Sequence, residues 1–321
     1  MHLHNSSYKR PAWAVDAHLQ TIPPALFRKV KGIHFDRERI ATPDNDFLDL
    51  DWSRVGSSKL VILSHGLEGN TSQHYIRGMV KVINQEGWDT LAWNFRSCSG
   101  EMNNKVRFYR ADSTEDIDLV VRHAIKHGKY REIAMIGFSL GGSFTLKLLG
   151  ELGNHPYPEI SKALVFSVPC DLNASVKVLS SGLNKRFYLN RFVMAIRNKL
   201  TQKIRQFPDL LTHIDIEKLH NFEDFDNVFT APLCGYKSAE EYYKNSSCKP
   251  DIPLIRVPTL IVNAQNDPFL SEQCNPIQEC RNHKWVHLEL PAEGGHVGFM
   301  LSSVNGPYWT EQRAIELLRA S

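Results

Sequence analysis

A serine set between glycines, Gly137-Phe138-Ser139-Leu140-Gly141, constrains this chain more than any other feature. An apolar strand leads into it and a helix-compatible run leaves it. The lead-in reads Glu132-Ile133-Ala134-Met135-Ile136, and residues 142–150 carry Phe144, Leu146, Leu148 and Leu149 on a helical pattern. A strand that turns directly into a helix bends sharply, and flanking glycines remove the β-carbons that would clash there. Such a turn strains the backbone at Ser139 and presents its hydroxyl outward, which makes Ser139 a candidate nucleophile. Taken alone, the pentapeptide is also compatible with an ordinary glycine turn.

The surrounding pattern predicts an α/β fold. Two strands, 33–40 and 47–52, flank the turn Thr42-Pro43-Asp44-Asn45-Asp46 as an opening hairpin. Strands at 59–64, 88–95, 132–136, 163–168, 259–264 and 285–290 then alternate with helices at 75–85, 113–127 and 310–320. Asp112 or Ser113 is the expected cap of the second of these helices, with Asp116 completing a capping box. Near-continuous apolar strands separated by helices imply a mostly parallel sheet covered on both faces.

The alternation stops over 171–251, where an inserted helical lid is expected. The catalytic core is then 1–170 with 252–321, and 1–32 is an extension packing on or beside it. Within the insertion, Leu189, Val193, Ile196, Leu200, Ile204 and Phe207 form one apolar helical face. Residues 172–208 hold Lys177, Lys185, Arg186, Arg191, Arg197, Lys199, Lys203 and Arg205 but no acid. That run reads as a solvated face neutralised by the acidic stretch after it, or as a surface for anionic lipid or an acidic substrate.

A serine hydroxyl attacks effectively only when a histidine removes its proton, and the imidazole in turn needs a carboxylate. Asp267, in Gln265-Asn266-Asp267-Pro268, follows a strand at the carboxyl edge of the sheet, where open α/β sheets place functional groups. A turn aspartate before proline is the plain alternative, and Asp171 is the reserve acid. His296, in Glu293-Gly294-Gly295-His296-Val297-Gly298-Phe299, follows the last strand on glycines that let the loop fold back over the serine. His287 alternates within that strand and His283 precedes it. Acyl transfer also needs donors aimed at the developing oxyanion, each worth ~3 kcal/mol. The backbone N–H of Leu140 is one, and that of Leu67, in His65-Gly66-Leu67-Glu68-Gly69, is the choice for the other.

A formal charge of +3 and the lack of basic patches interleaved with aromatics argue against nucleic acid. Residues 1–7 lack the apolar core of a signal peptide and no stretch reads as a bilayer span, so a cytoplasmic protein without stable membrane insertion is expected. Six scattered cysteines read as reduced thiols. The fourteen histidines form no recognisable metal motif, with His2 and His4 on a terminus expected to fray, so neither metal nor organic cofactor is expected.

With these residues assembled, the chain resembles the YheT-like branch of the α/β-hydrolases, the AB hydrolase 4 family. The resemblance spans nearly the whole chain. It rests on Pro11-Ala12-Trp13 followed by His18-Leu19-Gln20-Thr21-Ile22, on His65 to Gly69, and on Asn94-Phe95-Arg96 with Cys98-Ser99-Gly100. Phe229-Thr230-Ala231-Pro232-Leu233 and Gly294 to Phe299 complete it. It implies the α/β-hydrolase fold and a serine carboxylesterase acting on short- to medium-chain acyl esters through Ser139, Asp267 and His296, with a small-molecule or lipid-like ester as partner. Some eukaryotic relatives act on phospholipids and typically carry an N-terminal membrane anchor. Ser97 replaces a usual glycine and Asn266 an expected aspartate. A lipase or lysophospholipase, a thioesterase or an acyltransferase uses the same residues, and a silent ligand-binding member of the fold is a further alternative.

Overall fold

The computed structural model describes residues 3–4, 6–127 and 129–320. Nine strands form a single sheet: β1 (Leu3–His4), β2 (Asp36–Ala41), β3 (Phe47–Ser53), β4 (Lys59–Ser64), β5 (Asp89–Trp93), β6 (Glu132–Phe138), β7 (Ile160–Phe166), β8 (Thr259–Val262) and β9 (Val286–Glu289). Their spatial order is β1-β9-β8-β7-β6-β4-β5-β3-β2. Only β3 runs against the rest, pairing antiparallel with both β2 and β5. The expected opening hairpin is therefore an edge of the main sheet. Leu3 and His4, expected to fray, instead pair with Leu288 and Glu289 at the other edge, while His2 lies outside the described residues.

Alternation within each strand feeds two apolar layers. Along β4, Leu60 and Ile62 point to one face and Val61 and Leu63 to the other. The first face is covered by α3 (Glu115–Lys126) and α4 (Leu140–Leu152), through Ile117, Val120, Phe144 and Leu148. The second is covered by α2 (His74–Gln85) and α8 (Trp309–Arg319), through Ile76, Met79, Ile83, Trp309 and Leu318. Each such fully buried side chain contributes about 1.5–3 kcal/mol.

A further helix, α1 (Ala17–Phe27), was not expected, because Pro23 and Pro24 fall within it. Between β7 and β8 the chain is helical, with α5 (Leu172–Leu179), α6 (Asn190–Gln206) and α7 (Ala239–Ser246) as its main elements. The apolar face expected there exists. Leu189, Ile196 and Leu200 are buried, and Val193, Ile204 and Phe207 pack against the same cluster. The chain enters and leaves this insertion at adjacent points, since the Cys170 carbonyl accepts from the Lys249 amide at 3.1 Å.

The start of α3 departs from expectation. Its cap is Thr114, which makes no capping bond from its side chain. Asp116 is drawn instead to Arg96, which it grips through both oxygens at 2.7 and 2.8 Å. Arg96, 3% exposed, also reaches Asp44 at 2.8 Å and Asp46 at 2.9 Å. It thereby ties the β2–β3 turn to α3. Truncating one partner of a buried ionic cluster leaves the others uncompensated. Arg96→Met is expected to cost about 3–5 kcal/mol in chemical denaturation, and a loss within experimental error would show that the cluster carries little stability.

Candidate functional site

The turn between β6 and α4 is as tight as its glycines imply. A β-carbon on Gly137 would lie 2.6 Å from the Gly141 carbonyl oxygen, and one on Gly141 would lie 2.3 Å from that of His65. Ser139, between them, has φ 52° and ψ −123°. L-residues rarely adopt such backbone, which costs about 1–3 kcal/mol. Here the Ser139 side chain accepts no capping bond, and it lines the space between the sheet and the insertion.

Three of the residues singled out above meet at that point. Ser139 Oγ lies 3.0 Å from His296 Nε2. His296 Nδ1 lies 2.9 and 3.0 Å from the two Asp267 oxygens. Asp267 is 4% exposed and also accepts from the Phe269 amide at 2.8 Å. The Phe269 ring stacks on the imidazole at 3.9 Å, fixing its plane. With Nδ1–H donated to the carboxylate, Nε2 is left to accept from the serine hydroxyl, the arrangement in which a base can take that proton.

The competing residues do other work. Asp171 caps α5, accepting from the Ala174 amide at 3.0 Å, so its carboxylate is committed to a helix end. His283 Nδ1 accepts from the Trp285 and Val286 amides, each at 3.0 Å. His287 lies within β9, opposite Leu260.

In the turn after β4, two tyrosines organise the backbone. The Gly66 amide donates to the Tyr75 hydroxyl at 3.0 Å and the Glu68 amide to that of Tyr109 at 3.3 Å. The Leu67 amide between them has no acceptor among the described residues. Leu140 is the first residue of α4, so its amide has no intrahelical acceptor either. The His65 ring is fully buried, donating from Nδ1 to the Gly66 carbonyl at 2.8 Å and accepting at Nε2 from the Phe95 amide at 3.1 Å. Burial pushes its pKa down to about 3, so it is a neutral strut beneath the turn.

The residues that position His296 were the least anticipated. Gln20 of α1 accepts with Oε1 from the Gly294 amide at 2.7 Å and from Asn266 Nδ2 at 3.0 Å. The Asn266 Oδ1 accepts from the Gly295 amide at 3.0 Å. Thr21 Oγ1 accepts from the His296 amide and Ser167 Oγ from that of Val297, both at 2.9 Å. The His18-to-Ile22 motif thus cradles the histidine loop, and Asn266 makes amide contacts that an aspartate's two acceptors would not both supply. Residues 17–27 gave no apolar periodicity to signal this, since α1 buries Gln20, Thr21 and Pro24 and exposes Leu19, Leu26 and Phe27.

A cavity of about 620 Å³ opens beside Ser139 and His296. Its walls include Ile22 and Leu26 of α1 and Val176, Phe192, Phe225 and Phe229 of the insertion. The basic run is only partly a solvated face. Arg197 meets the acidic stretch as expected, at Glu217, whereas Lys199 and Lys203 turn inward. Lys199 lies 2.9 Å from Glu68 of the turn after β4 and 3.2 Å from Cys98 Sγ. Lys203 donates to the Asn103 carbonyl at 2.6 Å and to that of Lys105. The opposing carboxylate and carbonyls on the core draw both amines in.

Residues 59–303 match the alpha/beta hydrolase fold family, and the chain belongs to it. It is 32% identical over 305 residues to the esterase candidate YheT of Escherichia coli, covering 93% of this chain and 88% of that one. Monoacylglycerol lipase of Saccharomyces cerevisiae is 31% identical over 80% of this chain and 58% of its own length. Phospholipase ABHD3 of Mus musculus is 26% identical over 92% of this chain and 73% of its own. The esterase Pf2001 of Pyrococcus furiosus has the same fold, with a TM-score of 0.60, 20% identity and coverage of 98% of both chains. Among the described residues no helix is long and apolar enough to cross a membrane.

One cavity residue gives a pH prediction. Asp226 accepts from the Tyr243 hydroxyl at 2.7 Å, and burial pushes its carboxyl up to about 6. The folded protein therefore holds a proton that the unfolded chain, with an ordinary carboxyl near 4, has released. This group's contribution makes stability fall as pH rises from about 4 to about 6. Asp226→Asn is expected to flatten that part of the profile in urea melts between those pH values, and parallel profiles would count against the assignment.

Proposed function

We propose that the protein is a carboxylic ester hydrolase that cleaves esters bearing a medium-length apolar acyl group through an acyl-enzyme. The observation that carries this reading is the Ser139–His296–Asp267 hydrogen-bonded chain opening into a large apolar cavity. Ser139 Oγ attacks the ester carbonyl while His296 Nε2 takes its proton. Asp267 holds the imidazole in the required tautomer and stabilises the cation that forms. The Leu67 and Leu140 amides, which have no acceptor among the described residues, receive the oxyanion. His296 then protonates the departing alcohol, and water activated by the same nitrogen releases the acid. The insertion between β7 and β8 serves as the lid that shapes the acyl pocket.

The cavity volume lies within the usual range for small-molecule sites, about 300–1,000 Å³, and its lining favours hydrocarbon over a bare acetyl group. Relatives named monoacylglycerol lipase and phospholipase support lipid-derived esters as the substrate class.

Initial rates on p-nitrophenyl esters of increasing acyl length test this directly. kcat/KM is expected to rise from acetyl to medium chains and to fall by about four orders of magnitude or more in Ser139→Ala. Equal rates in wild type and variant would remove Ser139 from the mechanism. Gln20→Ala, which releases the His296 loop without touching substrate, is expected to lower kcat by up to about 100-fold with little change in KM. An unchanged kcat would show that α1 only buttresses the fold.

A further inference from the structure

Two imidazoles and a carboxylate that take no part in ester cleavage converge at the last turn of α3. His123 and His127 stand four residues apart and so share one helix face. Glu38 of β2 reaches the same place from the sheet edge. Its Oε1 lies 3.1 Å from His123 Nε2 and its Oε2 4.0 Å from His127 Nε2. One ligand atom from each residue can be taken such that all three lie within 4.8 Å of one another. None of the three lines the cavity beside Ser139.

We propose that Glu38, His123 and His127 form a binding site for a divalent transition-metal ion, zinc foremost, with water completing the coordination. Zinc–nitrogen and zinc–oxygen bonds of about 2.0–2.2 Å in a tetrahedron put neighbouring ligand atoms roughly 3.3 Å apart. The two carboxylate–imidazole distances, 3.1 and 4.0 Å, lie either side of that value, and the three ligand atoms start within 4.8 Å of one another, so side-chain rotations can close the shell. Two imidazoles with a single carboxylate select zinc and its neighbours over calcium or magnesium, which require more oxygens.

Two features prepare the ligands. Trp52 Nε1 donates to Glu38 Oε2 at 2.8 Å, orienting the carboxylate as an outer-shell partner does in metal sites. The Trp52 ring, 1% exposed, meets the His127 ring edge-on at 5.5 Å, and the two imidazoles meet at 4.9 Å, so one side of the pair rests on a fixed surface while the other stays open to solvent. The site also lies at the carboxyl end of α3, where the helix dipole favours a cation. A pair of histidines at i and i+4 was visible in the sequence, but the third ligand lies 85 residues before His123 and is supplied only by folding. A metal there clamps the edge strand β2 to α3.

The test uses the full-length protein, titrated with zinc by calorimetry and with cobalt by visible absorption. Zinc is expected to bind at one equivalent with micromolar or better affinity. It should raise the wild-type melting temperature as any ligand specific to the native state does. His123→Ala, His127→Ala and Glu38→Gln should each weaken binding about tenfold or more, with ester hydrolysis and circular dichroism unchanged. Glu38→Gln retains an acceptor for Trp52, so it separates lost coordination from lost packing. Absence of binding at micromolar zinc, or binding that all three variants leave intact, overturns the assignment, the latter placing the metal on other histidines.

Discussion

The approach of two backbones governs this molecule. Where β6 becomes α4, the helix start lies so close to the end of β4 that a methyl group on Gly141 would overlap the His65 carbonyl. That closeness sets the position of Ser139 relative to the turn after β4. It therefore also sets the distance between the serine hydroxyl and the backbone amide of Leu67. Packing density makes such contacts unforgiving, because a well-packed interior has little room to relax around an added atom. The strain at Ser139 persists because the sheet on one side and α4 on the other leave the chain no alternative path.

The histidine is positioned by a different principle. Its loop carries φ values of 152° and 61° at Gly294 and Gly295 and also places Val297 and Phe299 in the left-handed region. Left to itself such a loop would be mobile. Here its amides are spoken for in sequence by Gln20, Asn266, Thr21 and Ser167. Gln20 is buried and anchored in turn, its Nε2 donating to the Ala14 carbonyl at 3.0 Å. The Gln20 carbonyl, with no N–H to receive from Pro24, faces Gly298 so closely that a β-carbon there would lie 2.2 Å away. A proline that looks like a helix breaker thus frees the surface against which the loop packs.

Much of this was legible in advance. The interior strands, the helices that cover them, and the meeting of Ser139, Asp267 and His296 all follow from local patterns whose period or order is visible along the chain. What escaped has a common cause. The path of α1, the inward turn of Lys199 and Lys203, and the capture of Asp116 by Arg96 depend on partners 20 to about 275 residues away. A lysine within a basic run carries no mark of whether a carbonyl cage awaits it. The proline pair argued against a helix on propensity, and tertiary contacts outweighed that preference.

The neck at Cys170 and Lys249 has a wider consequence. Because the two ends of the insertion are tied by a backbone hydrogen bond, its length and content can change while the sheet beneath keeps its register. Ser139, Asp267 and His296 stand at the end of β6 and on the loops after β8 and β9, whereas a large part of the cavity wall beside them, including Val176, Phe192, Phe225 and Phe229, belongs to the insertion. A change confined to the insertion can therefore reshape that wall while the sheet keeps Ser139, Asp267 and His296 in place.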